Sequence, residues 1–583
     1  MTSQRISNKE VITLLKEILA AMEVKNYNDF RIRAYQNAIS ILENLTVSIQ
    51  DLWENKRLGE IPGVGPGIGD HLNEFFSEGK VLEFEEIKKD LPEGMFSLIG
   101  LRGIGAKRAY KLSLAFKLFD RETALEKLKE AAEQGKIRNL EGFGEKTEKA
   151  ILEAIEEQKM TKNKKVRLLF PQAEEIVGRI KSFMQECDAV KEMEVCGSFR
   201  RKNATVGDLD IPVATNKPDE VLDYFLKFPE IEEVLVIGDK KASVVLKNDI
   251  QVDIRVSTPE AYGSMLQYFT GSKQHNILLR NYALSKGMSL SEYGIKENGE
   301  LKEFADEKSF YGELGLSYIP PEIRNGNFEI EAARNGKLPK LIGLGDIKGD
   351  MHFHTIASDG ADTLEDMVGE AKKLGYQYIG VSDHAPSVQA RGLGTVLKMV
   401  SDTRKKIDDI NSSQKDIKVF FGYEVNILVD NSLGLPDDIL KDLDFVIAGI
   451  HTAFGQDKDT VTERLLSAIE NPYVRVISHP SGRLLNERDP ADPDWKKIFS
   501  AARDNNVILE INAQPQRLDL PDDLVKSAIE WGVDLIINSD AHSTEEFSFM
   551  RYGVDNARRG WARKSDIINT LDYDKFVKKL RVV

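Results

Sequence analysis

With 583 residues, 41% of them hydrophobic and 30% charged, the chain is too long for a single core and has the composition of a water-soluble multidomain protein. A formal charge of −15 argues against an electrostatic grip on nucleic acid by the whole surface, though not against local basic tracks. Two cysteines (Cys187 and Cys196), no apolar run of about eighteen residues and a start, MTSQRISNKE, without an apolar signal core argue against a disulfide scaffold, a zinc ribbon and a membrane span, and lead to the expectation of a reduced, cytoplasmic location.

Three glycine turns come first: IPGVGPGIG (61–69), LRGIGAKRA (101–109) and LEGFGEKTE (140–148). In each, glycines frame one apolar residue and a helical pattern follows. The pairs Gly63 and Gly65, Gly103 and Gly105, and Gly142 and Gly144 let the backbone turn tightly and approach a ligand. Unpaired amides at the following helix start suit a phosphate. The pattern resembles the helix-hairpin-helix motif, which implies sugar-phosphate binding without sequence reading. The adjoining QKMTKNKKVR (158–167) holds five cations and no acid and extends the expected phosphate track.

The middle of the chain carries acids on strands. Apolar periodicity makes GDLDIPVA a strand, with Asp208 and Asp210 on one face and Leu209 and Ile211 on the other. ASVVLKNDIQVDIRVS (242–257) reads as a hairpin turning at Asn248-Asp249, with Asp253 and Arg255 two apart on its second strand. Three carboxylates in one place repel one another unless divalent cations join them, the arrangement used to bind and displace phosphates. Upstream, GSFRR offers Ser198, Arg200 and Arg201 on a turn; downstream comes YFTGSKQHNILLRNYALSKGMSLSEYGI (268–295).

In this order, GS, DxD, VDIR and YFTGS resemble the family X DNA polymerases over roughly residues 1–320. The resemblance implies that Asp208 and Asp210 bind two Mg²⁺ or Mn²⁺ ions and that Asp253 lies beside the primer 3′-OH. It also implies that Ser198 and Arg201 contact the triphosphate, with Gly207 close by, and that Tyr268, Phe269 and Gly271 discriminate the sugar. Asn276 would meet the base edge and Arg280 the template minor groove; His275 is expected to be a packing or exposed residue. Members with deoxyribose-phosphate lyase activity carry a lysine nucleophile after the first hairpin. The matching position is His71, one turn after Gly67, so that activity is expected to be absent or weak.

Residues 318–348 mix proline, glycine and charge and read as a linker with one short helix. Beyond them seven apolar runs follow: GDMHFHT, YIGVSDH, VFFGYEVNIL, DFVIAGIHTAF, VRVISHP, VILEIN and DLIINSDAH. Their markers His352, His384, Glu424, His451, His479, Glu510 and Asp540 are 27–40 residues apart, the length of a strand and a return helix. A parallel barrel is expected, with its site at the C-terminal strand ends. His352 and His354 share one face of the first strand, with Met351 and Phe353 opposite. Asp359, His384, Glu424, His451, His479, Asp540 and His542 complete a set of nitrogen and oxygen donors too large for one ion, and suited to Mn²⁺, Zn²⁺ or Fe²⁺. HFH…SDG, SDH, GYEV, IHTAF…SHPSGR and NSDAH resemble the PHP (polymerase and histidinol phosphatase) domain. The resemblance implies two to three Mn²⁺ or Zn²⁺ ions and a phosphoesterase, with Arg483 helping to hold the phosphate.

The expected architecture is therefore multidomain: helical helix-hairpin-helix regions (1–85 and 86–160), an α+β nucleotidyltransferase palm (161–260) and thumb (261–320), a linker (321–347), and a distorted (β/α)7 barrel (348–583). The resemblances imply a gap-filling repair polymerase, monomeric, using gapped or primer-template DNA and deoxynucleoside triphosphates, joined to a Mn²⁺-dependent 3′→5′ exonuclease or 3′-end-processing phosphoesterase. Two alternatives stand beside this: a barrel that is a small-molecule phosphatase, and a non-catalytic DNA-end scaffold.

Overall fold

A computed structural model describes residues 8–42, 49–54, 56–61, 64–99, 101, 104–162 and 167–580. The chain divides into two compact units, 1–165 and 166–583.

The first unit is helical. Its opening helix, Asn8–Val24, buries Val11, Leu15, Ile18 and Met22, spaced three and four apart on one stripe. Leu72, Phe84, Leu112, Leu128 and Ile155 of later helices complete the core. The three glycine turns share one hydrogen-bond pattern. Val64, Ile104 and Phe143 each donate their N–H to the carbonyl three residues earlier, and all three side chains are buried. The next residue, Gly65, Gly105 or Gly144, then accepts the first bond of the following helix, from Gly69, Ala109 and Glu148 respectively.

The second unit contains a palm, a thumb and a barrel. The palm sheet comprises β1 (Glu192–Met193), β2 (Asp208–Ala214), β3 (Ile231–Gly238), β4 (Lys241–Leu246) and β5 (Gln251–Ser257), in spatial order β1-β2-β5-β4-β3. β2 and β5 are parallel, whereas β4 and β5 form the expected hairpin, whose turn takes Asp249 to φ +62°. The thumb has helices Tyr262–Thr270, Lys273–Leu284 and Glu307–Glu313 around a small antiparallel sheet. The segment expected as a linker contains its short helix, Glu329–Arg334, but Ile323 and Ala333 are buried in the thumb core and Ile342 in the barrel shell.

The barrel strands are β6 (Gly349–Phe353), β7 (Tyr378–Val381), β8 (Lys418–Asn426), β9 (Phe445–Gly449), β10 (Val474–Ile477), β11 (Ile508–Asn512) and β12 (Leu535–Asn538). All neighbours are parallel and in chain order, and a bridge from Phe353 to Ala541 brings the first strand to the last. The expected fold class is thus found. Helices cover an outer shell of Val, Ile and Leu. The interior is filled by Met351, Phe445, Ile447, Val476 and Ile536, and the last helix, Tyr573–Leu580, plugs the bottom with Phe576 and Leu580. One detail differs from strict alternation. Met351 joins the interior and Phe353 the shell, because the pairing of β6 with β7 slips between Asp350 and Phe353. Among the described residues no helix is long and apolar enough to cross a membrane.

Candidate active sites

In β2, Leu209 and Ile211 point into the palm core, which turns Asp208 and Asp210 to the other face. Parallel pairing sets Asp210 opposite Asp253 of β5, so the third carboxylate joins the same face. Asp253 is oriented by Ser243 of β4, which donates to Oδ1, and by Gln251 Nε2, which donates to Oδ2 at 2.8 Å. Burial first, then the charges of Asp208 and Asp253, push the Asp210 carboxyl up to about 6. That is the strain a divalent cation relieves.

The turn Gly197–Arg200 presses against these acids. Gly197 has φ +61°, and a Cβ there would lie 3.1 Å from Asp210 Oδ2. Next to it, Ser198 Oγ is buried without a hydrogen-bond partner. Arg200 donates to Thr270 Oγ1 at 2.6 Å and pairs with Glu307 at 2.7 Å, while Arg201 donates to the Thr270 carbonyl. The two arginines thereby fix the turn before Gly271. Burial, and then Arg559 and Arg324, lower Arg201 to about 10. Arg167 occupies the space left by Gly207: a Cβ there would meet its guanidinium at 2.8 Å.

Tyr268 and Phe269 meet edge to face at 5.0 Å between centroids, with Arg280 over the first ring and Arg255 over the second. Asn276 is tied back to this segment, donating to the Tyr268 carbonyl at 2.8 Å and accepting from Gln267 at 2.9 Å. His275 is a buried packing residue, bonded to Glu329 at 2.7 Å and to the Tyr311 hydroxyl at 2.9 Å.

The barrel mouth gathers all nine expected donors. Glu424, inside β8, has His479 Nε2 at 2.8 Å and His451 Nε2 and His384 Nδ1 at 3.1 Å. On its other side lie His352 Nε2 at 3.5 Å and His354 Nε2 at 3.7 Å. Asp540 faces the same pair at 3.4 and 3.2 Å. Asp359 lies 3.4 Å from each of His354, His384 and His542. The Nε2 atoms of His352 and His354 are 3.2 Å apart, a distance that leaves two lone pairs facing unless a cation lies between them or one Nε2 carries a hydrogen.

Burial alone would push the Glu424 carboxyl up, but His451 and His352 hold it well below its usual range, and His352 does the same for Asp540. Burial and His542 lower His354 to about 4. Asp359 Oδ1, His451 Nδ1, His479 Nδ1 and His542 Nε2 are buried without a hydrogen-bond partner. Among the described residues, three groups bring their donor atoms within 4.8 Å of one another: His354, Asp359, His384 and His542; His352, His354 and Glu424; and His384, Glu424 and His451. These could hold divalent metal ions. The palm acids do not form so close a set.

The helix-hairpin-helix domain family matches residues 6–81, the DNA polymerase beta thumb family residues 265–325, and the PHP domain family residues 350–514. A DNA polymerase/3′-5′ exonuclease PolX of Bacillus subtilis (strain 168) is 37% identical over 578 residues, covering 98% of this chain and 99% of that protein. This chain belongs to the PolX family. Proteins described as probable phosphatases also match: one of Thermoanaerobacter sp. (strain X514) is 32% identical over 205 residues, 33% of this chain and 78% of its own. Another, of Caldicellulosiruptor saccharolyticus, is 33% identical over 203 residues, with 33% and 79% covered.

In this PolX chain, Gly63 and Gly103 lie outside the described residues, as do residues 163–166 of the basic stretch. At Gly65, Gly105, Gly142 and Gly144 nothing lies within 4 Å of where a Cβ would stand, so the backbone there is open to a ligand. His71 has both ring nitrogens engaged at 2.8 Å, by the Tyr35 hydroxyl and by Glu83.

Two residues of the barrel carry more than the sequence reading gave them. Glu510, read only as a strand marker, accepts from His352 Nδ1 at 2.7 Å, Asn538 at 2.9 Å, the His479 N–H at 2.8 Å and Asn512 at 3.1 Å. It therefore turns His352 Nε2 toward the cluster that could hold metal ions. Arg517 is buried with Nε 3.9 Å from Asp540. Arg483, expected to face the phosphate, instead donates to the carbonyls of Arg517 and Leu518 and braces that turn.

Proposed function

We propose that the palm is a DNA-directed DNA polymerase filling short gaps during base excision repair, and that the barrel is a Mn²⁺-dependent 3′→5′ exonuclease that also processes abasic or blocked 3′ ends. The convergence of nine donors at the barrel mouth, in a chain alignable almost end to end with a protein named for both activities, carries this reading. Asp208, Asp210 and Asp253 fit Mg²⁺ or Mn²⁺. His352, His354, Asp359, His384, Glu424, His451, His479, Asp540 and His542 fit two to three Mn²⁺ or Zn²⁺ ions. Bound there, the ions would supply positive charge to a phosphate under displacement.

The chain's own groups do the placing. Asp253, held by Ser243 and Gln251, would lie next to the primer 3′-OH and promote its attack. Ser198 and Arg201, beside Gly207, receive the triphosphate; the unpartnered Ser198 hydroxyl supports this role. Tyr268, Phe269 and Gly271 meet the sugar, Asn276 the base edge and Arg280 the template strand. The glycines 63, 65, 103, 105, 142 and 144 lead the DNA backbone past amide donors. The protein acts as a cytoplasmic monomer on gapped or primer-template DNA with deoxynucleoside triphosphates.

The experiment compares gap filling and 3′-end hydrolysis in Asp208→Ala and His352→Ala. The first should abolish only synthesis and the second only hydrolysis; loss of both together in either variant would refute the division of labour. A second reading, favoured by the probable phosphatases among the relatives, makes the barrel a small-molecule phosphatase. Faster phosphate release from histidinol phosphate than nucleotide release from single-stranded DNA would support it.

A further inference from the structure

The helix Met550–Arg559 starts eight residues after His542, yet one of its faces belongs to the palm. Tyr552, Asp555 and Arg559 are spaced three and four apart and therefore fall on one stripe, with Arg551 at its edge. Tyr552 is buried in the palm core, and its hydroxyl donates to Glu174 at 2.9 Å; Arg551 reaches the same carboxylate at 2.8 Å. Asp555 pairs with Lys202 at 3.5 Å. The opposite side rests on the barrel. A Cβ at Gly553 would lie 2.6 Å from Ile537 and 2.7 Å from Ala513, and Asn556 donates to the Leu520 carbonyl at 2.7 Å.

At the end of the stripe Arg559 reaches the turn beside the palm carboxylates. It donates to the Arg201 carbonyl at 2.7 Å and to Asn203 Oδ1 at 2.8 Å, while Asp522 of the barrel holds its other nitrogen at 2.7 Å. Asn203 in turn donates its backbone N–H to the Ser198 carbonyl at 3.0 Å. One buried guanidinium, anchored from the barrel side, thus restrains the loop 197–203 at both Arg201 and Asn203.

We propose that Arg559, a residue of the barrel half, is a positioning residue for nucleotide incorporation, holding the 197–203 turn so that Ser198 and Arg201 meet the triphosphate. This rests on the reading that Ser198 and Arg201 contact that group. Arg559 touches no reacting atom, and its effect passes through the loop. A rigid planar fork can satisfy the carbonyl, the amide oxygen and Asp522 together, which a lysine ammonium on a flexible stem does only in part.

The test uses the full chain in single-nucleotide gap filling, with hydrolysis of a 5′-labelled single strand measured in parallel. Arg559→Gln should raise KM for the nucleotide about tenfold with kcat changed less than about threefold, and leave hydrolysis within about twofold. Arg559→Lys should recover part of the loss. Asn203→Ala, which removes one acceptor and leaves the ion pair intact, should raise KM in the same direction, and the double variant should be within about twofold of Arg559→Gln. If Arg559→Gln and Asn203→Ala leave KM unchanged while Ser198→Ala raises it, the inference is wrong. Equal loss of synthesis and hydrolysis with a lowered melting temperature would also overturn it, by reducing Arg559 to a structural role. If Ser198→Ala itself leaves KM unchanged, the triphosphate reading fails instead.

Discussion

Replacing Glu510 by glutamine keeps the shape of a side chain that accepts from four N–H donors, and removes its charge. In the native chain one oxygen receives His352 Nδ1 and Asn538, and the other receives the His479 backbone and Asn512. A glutamine must turn an NH₂ toward one of these donor pairs. If it faces His352, the imidazole loses its acceptor and its tautomer is no longer fixed with Nε2 open to a metal. If it faces the other pair, the His479 backbone amide and the Asn512 side chain lose their acceptor in a fully buried place, at about 1–3 kcal/mol. Either way, weakened support for a histidine proposed as a metal ligand should cost about 10–100-fold in metal affinity. The assay is 3′-end hydrolysis against Mn²⁺ concentration, with calorimetric Mn²⁺ binding alongside. The half-saturating Mn²⁺ should rise by that factor while most of the maximal rate returns at saturation and gap filling is untouched. An unchanged Mn²⁺ midpoint, whatever the maximal rate, would show that Glu510 does not support the histidines in metal binding.

Three further outcomes follow from the same geometry. Glu307 is buried between Arg324 and Arg200, at 2.6 and 2.7 Å, so Glu307→Gln should destabilise the second unit by about 3 kcal/mol, read from denaturant unfolding. Burial pushes this carboxyl up, but Arg324 and Arg200 outweigh it and hold Glu307 below the ordinary range. Its stabilisation is therefore full above about pH 4.3 and lost as pH falls through the folded value, and the variant should show a flatter acid limb; a parallel limb would contradict this. Arg517→Ala should slow hydrolysis about tenfold or more without moving the Mn²⁺ midpoint, because a buried guanidinium beside Asp540 can meet a phosphate but has no lone pair to ligate a metal. With both His71 nitrogens engaged and no amine at that place, borohydride should trap no 5′-deoxyribose-phosphate adduct on residues 1–85; rapid trapping would overturn that expectation.

Much of both sites was legible because strand alternation is local. The pattern DLD fixes two acids on one face, and HFH fixes two imidazoles, whatever lies next to them. What alternation cannot give is register: Asp210 stands opposite Asp253 because β2 and β5 are parallel neighbours, a pairing 43 residues apart in sequence. The slip between Asp350 and Phe353 reset the pattern, sending Met351 inward, since a local irregularity leaves no mark in hydrophobicity. Glu510 looked like any acid in an apolar strand until its four donors were in place. Arg483 follows the SHPSG segment and invites a phosphate role, yet its length lets it reach two carbonyls of a neighbouring turn. Residues 318–348 have linker composition, but Arg324 and Glu329 are buried because partners distant in sequence meet them: Glu307 pairs with Arg324, and His275 hydrogen-bonds to Glu329. The stripe of Tyr552, Asp555 and Arg559 is polar at helical spacing, and without its partners it reads as a solvated face.

One chain joins a polymerase palm to a barrel that cleaves DNA at the 3′ end. The most direct measurement is the chemical identity of what the barrel releases from a 5′-labelled single strand in Mn²⁺, in the wild type and in His352→Ala. The wild type should yield deoxynucleoside 5′-monophosphates with a ladder of shortened strands, and His352→Ala neither, while still filling a one-nucleotide gap. Release of inorganic phosphate alone with strands of unchanged length, or a ladder that persists in His352→Ala, would contradict this.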